Sequence, residues 1–349
     1  MRKHVFLRIV EALGNHDWYF QMSVDAVGRT SLSPLQKCTA AIRMLAYGAP
    51  ADFLDEYIRI GETTTNLCLE RFVKGVTEIF GPEYMRKPNN EDTARLLQMG
   101  ESRGFPGMLG SIDCMHLEWK NCPVAWKGQY SRGDHGNPTI MLEAVASQDL
   151  WIWHAFFGIA GSNNDINVLN QSNVFANVLN GEAPTVQYNV NGTSYDMGYY
   201  LADSIYPTWA TFVKTIPMPQ GPKRQLFAKR QEGARKDVER AFGVLQSQFA
   251  IVRGPSRNWH VDTMKNIMYA CIIMHNMIVE DEHDGYSGNF DYEQVDNNST
   301  VQVFNGPLPN FTTLFERMAH VRQKQIHHQL QHDLMEHIWQ RYEDEDVEN

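Results

Sequence analysis

Apolar residues change their spacing near residue 105. Before it they recur at intervals of three and four; after it they alternate or run in short blocks. In the first 104 residues, Ser33-Pro34 marks a helix start, with Ser as N-cap and Pro at the first position, and Gly48 marks its end. Leu35, Cys38, Ile42 and Leu45 form the apolar stripe of that helix. A second short helix is predicted around Ala51 to Ile60, and a third from Glu62-Thr63 to Phe80, stopped by Gly81-Pro82. Three short helices in succession suit a helix-turn-helix-like unit that contacts DNA, and equally a plain helical bundle.

From Gly107 the pattern predicts strands at Gly110 to Glu118, Thr139 to Ala146 and Leu150 to Gly158, with a hairpin turn at Gln148-Asp149. A helix is expected from Asn163 to about Leu179. Asn191-Gly192 between Val186–Val190 and Thr193–Met197 is a strong two-residue hairpin signal. A further strand, Tyr199 to Ala202, leads into Asp203. Helices are predicted at about Gln231 to Phe249 and Val261 to Glu280, and a last one from about Leu314 to Tyr342. Residues 283 to 311 are polar and Asn-rich and read as a loop or a disordered segment. Three strands, a helix, a strand and later helices match the order of an α/β, ribonuclease-H-like core. The expected division is a helical amino-terminal region at 1–104, the ribonuclease-H-like body at 105–282, and a polar linker with a carboxy-terminal helix at 283–349.

The pattern also singles out acids. Asp113 sits inside an apolar strand, where an unpartnered carboxylate is costly and asks for a metal, a cation or a cap. Alternation places Asp113, Met115 and Leu117 on one face and Cys114 and His116 on the other, which makes His116 structural rather than a ligand unless the strand bends, with a supporting role beside a metal as its alternative. Asp203 follows a strand's carboxyl end, a usual ligand position in open α/β sheets; the plainer reading is a turn-forming Asp. Glu239 shares a helix face with Glu232, Arg235, Gly243 and Gln246, beside the buried stripe Ala234, Val238, Ala241, Leu245 and Phe249, while Asp237 points elsewhere. Gly243, one turn on, would leave open space there. The plainer reading of Glu239 is an ion pair with Arg235. Asp165 opens a helix after Ser162 and reads first as half of a capping box, with a supporting role beside a metal as the alternative.

The text around these acids is similar to the plant branch of the PIF/Harbinger DDE transposases and their transposase-derived nuclease-like relatives. The matching stretches are SPLQKCTAAIRMLAYG, GFPGMLGSIDCMH, EWKNCPVAWKGQY, ASQDLWIWHAFFGIAGSNNDINVLNQS, GYYLADSIYP, ARKDVERAFGVLQSQFAIVR and IIMHNMIVEDE, from about residue 15 to about residue 282. The resemblance implies that Asp113, Asp203 and Glu239 are the three catalytic acids, holding two Mg²⁺ or Mn²⁺ ions for phosphodiester cleavage and strand transfer. It also implies a Myb-like partner protein that supplies sequence-specific DNA binding. A homo-oligomer is compatible with it. Some relatives have become non-catalytic chromatin scaffolds with degraded acidic positions, whereas here all three acids are present.

Charge and cysteine content adjust this picture. The formal net charge of −10 argues against DNA, but seven acids between Glu280 and Asp296 and a net −5 from Glu336 onward leave the remainder at +2. Ten Lys or Arg against four acids fall between Lys223 and Lys265, around Glu239. Lys223, Arg224, Lys229, Arg230, Arg235, Lys236 and Arg240 are therefore the candidate DNA-binding residues, partly on a mobile loop; a solvated helix face is the bland alternative. Trp119 and Trp126, in a loop-rich stretch, are better placed to meet DNA than Trp151, Trp153, Phe156 and Phe157, which read as core. Five cysteines without tight pairs fit buried free thiols in a reducing compartment, nucleus or cytoplasm, better than a zinc cluster of Cys114, His116 and Cys122. No apolar run reaches the roughly 18 residues of a membrane span. The longest, near Ile267 to Val279, contains His275 and Asn276 and reads as a buried helix, and the opening MRKHVFLRIVEALGNHDW, broken by Arg8 and Glu11, makes a poor signal peptide.

Overall fold

The computed structural model describes residues 1–54, 58–133, 136–286, 302–304 and 313–348. Four helices come first: α1 (Lys3–His16), α2 (Pro34–Tyr47), α3 (Glu62–Tyr84) and α4 (Asn90–Ser102). Helix α2 begins with the expected cap, since Ser33 and Gln36 satisfy each other's backbone N–H groups, and it ends at Gly48 in the left-handed region with φ 62°. A 3₁₀ turn, Ala51–Leu54, opens the stretch where the second helix was expected; residues 55–57 lie outside the described residues, and Ile58 after them is helical. Helix α3 runs on through Gly81 and Pro82 to Tyr84. The tertiary contacts of Tyr84 outweigh the proline: its ring is buried, and its hydroxyl donates to Glu280 at 2.6 Å.

The strands β1 (Met108–Glu118), β2 (Thr139–Ala146) and β3 (Ile152–Ala160) follow as an antiparallel meander. Next come α5 (Asp165–Gln171), α6 (Ala176–Asn180), β4 (Thr185–Val190), β5 (Thr193–Tyr195), β6 (Tyr199–Ala202) and β7 (Phe212–Lys214). The main sheet has the order β3-β2-β1-β6-β7, with β6 parallel to β1 and β7 parallel to β6. The fold is thus mixed α/β, with a central mixed sheet. Strands β4 and β5 close the predicted hairpin, with Asn191 and Gly192 both at positive φ, but they belong to a second sheet with β8 (Gln302–Phe304). The helix expected from Asn163 to Leu179 is two short ones. The chain breaks after Gln171, and Val174 and Phe175 turn into the core beside Ile112, Ala202 and Phe212.

Helix α7 (Pro222–Gln248) begins earlier than the apolar stripe alone predicts, behind Gly221 and with Pro at its first turn. The block Lys223 to Arg230 is therefore helical and not a mobile loop. Helix α8 (Val261–Tyr286) follows. Most of the segment read as a loop at 283–311 lies outside the described residues. Thr313 caps α9 (Leu314–Val321), and α10 (Lys324–Glu348) follows a break at Arg322-Gln323, so the single last helix is two. One hydrophobic cluster joins α1, α2 and α3 to α7, α8 and strands β1 and β2, so the first helices and the sheet share a core. No described helix is long and apolar enough to cross a membrane.

Helix α8 is buried at its centre, and His275 and Asn276 are fully covered. The His275 Nε2–H donates to the Leu150 carbonyl at 2.8 Å, and Nδ1 faces the Gln248 amide at 2.9 Å. Burial pushes this imidazole down to about 4. A group held neutral in the fold but protonated in the unfolded chain below about 6.5 weakens the fold as pH drops. Between pH 6.5 and 4 the wild type should lose about 3 kcal/mol from this source. A His275→Gln variant, compared by denaturant unfolding at several pH values, should show a correspondingly flatter dependence.

Candidate metal and nucleic-acid site

Strand β1 carries the first acid in its middle. Three successive inward positions on one face meet α7. Ser111 Oγ donates to the Ala234 carbonyl at 3.1 Å, Asp113 Oδ2 accepts from Arg235 Nη1 at 2.9 Å, and Met115 Sδ lies 3.8 Å from Gln246 Nε2. The alternation read from sequence holds. Cys114, on the other face, lies 3.6 Å from the Tyr206 hydroxyl, and His116 Nδ1 is 2.9 Å from Thr139 Oγ1. His116 points away from Asp113, in agreement with a structural role.

Asp203 stands just past the carboxyl end of β6. The parallel register pairs Ser111 with Leu201, each two residues before an acid, Asp113 and Asp203. Gln231, buried on α7, donates to the carbonyls of Ala202 at 3.2 Å and Val213 at 3.1 Å. It thereby pins the ends of β6 and β7 to the helix that bears the third acid. The Asp203 carboxylate also accepts from the Ser204 N–H, so the turn-forming reading describes part of its role.

On α7, Arg235 forks between two acids: Nη1 reaches Asp113, and Nη2 reaches Glu239 Oε1 at 2.8 Å. The ion pair weighed as the plainer reading of Glu239 is thus present and extends to the strand. Asp237 is fully buried and paired with Arg103 at 2.5 Å and with Arg240, so it belongs to the scaffold. A Cβ added to Gly243 would meet nothing within 4 Å, which leaves the helix surface beyond Glu239 open.

Asp165 is not half of the capping box that its sequence context suggests. Asn164, not Ser162, caps α5, and the Ser162 hydroxyl donates instead to the Gln129 carbonyl. Asp165 is freed from capping and turns to the sheet, where it shares a hydrogen bond with Cys114 and feels the charge of Asp203. Burial raises its carboxyl above the usual range. Burial likewise pushes Asp113 up to about 6 against the Cys114 N–H and Arg235, with Asp165 and Glu239 adding to the rise. Repulsion thus links Asp113 to Asp165 and Glu239, and Asp165 to Asp203, and Arg235 partly compensates Asp113. The signal for Asp165 was its position after β3, in a stretch that could be read as a cap; the signal for Arg235 was its spacing of four from Glu239.

Among the described residues, no three His, Cys, Asp or Glu side chains stand close enough to hold one metal ion as they are placed. The donor set nevertheless fits a hard divalent cation. All four groups offer carboxylate oxygens, and Asp113, raised chiefly by burial and to a smaller extent by Asp165 and Glu239, would be favoured in its charged form by a nearby cation. All five cysteines are free thiols.

The basic residues divide along α7. Lys236, three residues before Glu239, is exposed on its side of the helix; Lys229, Arg240 and Arg224 are exposed as well, and Arg240 pairs with Asp237. Lys223 pairs with Glu336 of α10 at 2.7 Å, and Arg230 borders a small cavity with Arg341 and Tyr342. Trp119 is fully buried, with its indole N–H on the Asn258 carbonyl at 2.8 Å, so it cannot meet DNA. Trp126, 45% exposed, still can.

The family model described as "Plant transposon protein" matches residues 82–286. The chain is similar to "Protein ALP1-like" of Arabidopsis thaliana, at 24% identity over 72% of this chain and 62% of that protein. It is also similar to "Putative nuclease HARBI1" of Bos taurus and of Homo sapiens, each at 20% identity over 74% of this chain and 70% of that protein. The chain thus spans less than two thirds of the length of the Arabidopsis relative. No solved structure matches it significantly.

Proposed function

Because the chain belongs to the plant transposon protein family, of Harbinger type, we propose that it is a metal-dependent DNA endonuclease or transposase catalytic subunit. The observation that carries this reading is the Arg235 fork between Asp113 on a central strand and Glu239 on the covering helix, with Asp203 just past the end of the parallel neighbouring strand. A ribonuclease-H-like core is the fold reading that the order β3-β2-β1-β6-β7 supports, with residues 105–282 as the catalytic body.

In this proposal Asp113, Asp203 and Glu239 hold Mg²⁺ or Mn²⁺, with Asp165 beside them. The ions, when bound, supply an activated water or 3′-hydroxyl and a stabilised leaving oxygen. The chain's own residues set the stage. Gln231 fixes the β6 end, Ser111 anchors β1 to α7, and Gly243 leaves room for the backbone of a nucleic acid. DNA is the substrate and a Myb-like protein the partner that selects its sequence; the nucleus is where both would be met. Nicking of supercoiled plasmid with Mg²⁺ or Mn²⁺, with and without that partner, tests the proposal. Absence of metal-dependent nicking under both conditions contradicts it.

The exposed Lys229, Lys236 and Arg240 are the proposed phosphate contacts on α7. Changing all three to Gln should weaken DNA binding and lower the slope of log affinity against log salt by about 2 to 3. An unchanged slope in a fluorescence-anisotropy titration would assign these residues to a solvated face.

One observation favours a second reading. Arg235 bridges Asp113 and Glu239, and no described trio of ligands is assembled. A non-catalytic, transposase-derived scaffold on chromatin would keep such a bridge permanently.

A further inference from the structure

Arg235 touches two of the proposed ligands at once. Its Nη1 lies 2.9 Å from Asp113 and its Nη2 2.8 Å from Glu239. Asp113 belongs to β1 and Glu239 to α7, so the guanidinium joins strand and helix where a shared cation would have to join them. Its side chain is 16% exposed, unlike the freely solvated partners of an ordinary surface i,i+4 pair. A planar fork engaged with two carboxylates takes up the oxygen lone pairs that a metal needs.

We propose that Arg235 is a positioning residue that stands in for the metal. In the metal-free protein its guanidinium holds Asp113 and Glu239, and it must leave before those carboxylates close on a cation. The proposal rests on the metal-dependent reading above. Its physical basis is competition. A fixed positive charge within hydrogen-bonding distance of two ligands both occupies them and repels an incoming dication. The carboxylates are therefore kept near one another without a metal, at the cost of weaker metal binding.

The test is direct Mn²⁺ binding to the metal-stripped full chain, read as loss of the free-ion electron paramagnetic resonance signal, with no DNA present. Arg235→Gln should bind Mn²⁺ about tenfold more tightly than wild type. Arg235→Lys retains the charge but cannot fork, and should fall between the two; it also serves if the Gln variant fails to fold. Asp203→Asn, introduced on each background, should remove most of the binding. If binding depends on Asp203 but neither Arg235 variant binds more tightly than wild type, the proposed role of Arg235 is wrong and the metal-dependent reading stands. If neither wild type nor the Arg235 variants bind Mn²⁺ in an Asp203-dependent way, both are wrong.

Discussion

Asp203→Asn is expected to lower Mg²⁺- or Mn²⁺-dependent DNA cleavage by about three orders of magnitude or more while leaving the fold intact. The change keeps the shape of the side chain and removes the charge that would hold a divalent ion. Asp203 is half-buried at a strand end, and the main chain around it is fixed by Gln231, so the substitution has little to disturb. Asp113→Asn and Glu239→Gln should have effects of similar size, and the three losses should not add, because one shared metal site fails when any ligand is lost. Cleavage that survives any of these substitutions at near wild-type rate would contradict the assignment. The triple variant also separates catalyst from scaffold. If it retains full function in the cell, catalysis is not the present role of the protein.

Asn276→Leu is the substitution expected to damage the fold most. Asn276 is fully buried and makes three hydrogen bonds: it accepts from Ile152 N–H at 2.9 Å and donates to the carbonyls of Tyr84 at 2.8 Å and Ile152 at 2.9 Å. One amide thus closes the start of β3, the end of α3 and the middle of α8 onto each other. Leucine of similar size leaves those backbone groups buried and unpaired, at about 1–3 kcal/mol each. A total loss of about 3–5 kcal/mol is a large part of the stability of a typical domain. Denaturant unfolding would show it as a lower midpoint with a similar slope, and a loss below about 1 kcal/mol would contradict the structural account. The same contact explains why α3 passes through Pro82: Tyr84 is held from outside the helix.

The strands around the site were legible in the residues because their signals are local. Alternation placed Asp113, Met115 and Leu117 on one face of β1, Asn191-Gly192 defined a hairpin, and the apolar run Tyr199 to Ala202 brought Asp203 to a strand end. What the sequence did not reveal depends on tertiary contacts. β7 has only three residues and takes its place from pairing with β6. The start of α7 is polar, so no apolar stripe announces it. Asn191-Gly192 specified the turn but not which sheet would receive it. Asp165 could be read as half of a capping box because Ser162 stands three residues before it. Only the fold shows that Asn164 takes the cap and turns Asp165 toward Asp203. Likewise, the spacing of four between Arg235 and Glu239 predicts their ion pair, but the reach of Arg235 to Asp113 requires β1 to lie beneath the helix.

A crystal structure of the full chain soaked in Mn²⁺, with the metal located by anomalous scattering, tests the central claim most directly. The account predicts manganese bound by the carboxylates of Asp113, Asp203 and Glu239, as two peaks about 4 Å apart where both ions are bound. The guanidinium of Arg235 should then have turned away from Asp113. Saturating manganese that leaves the Arg235 bridge intact and produces no peak among these acids would contradict it.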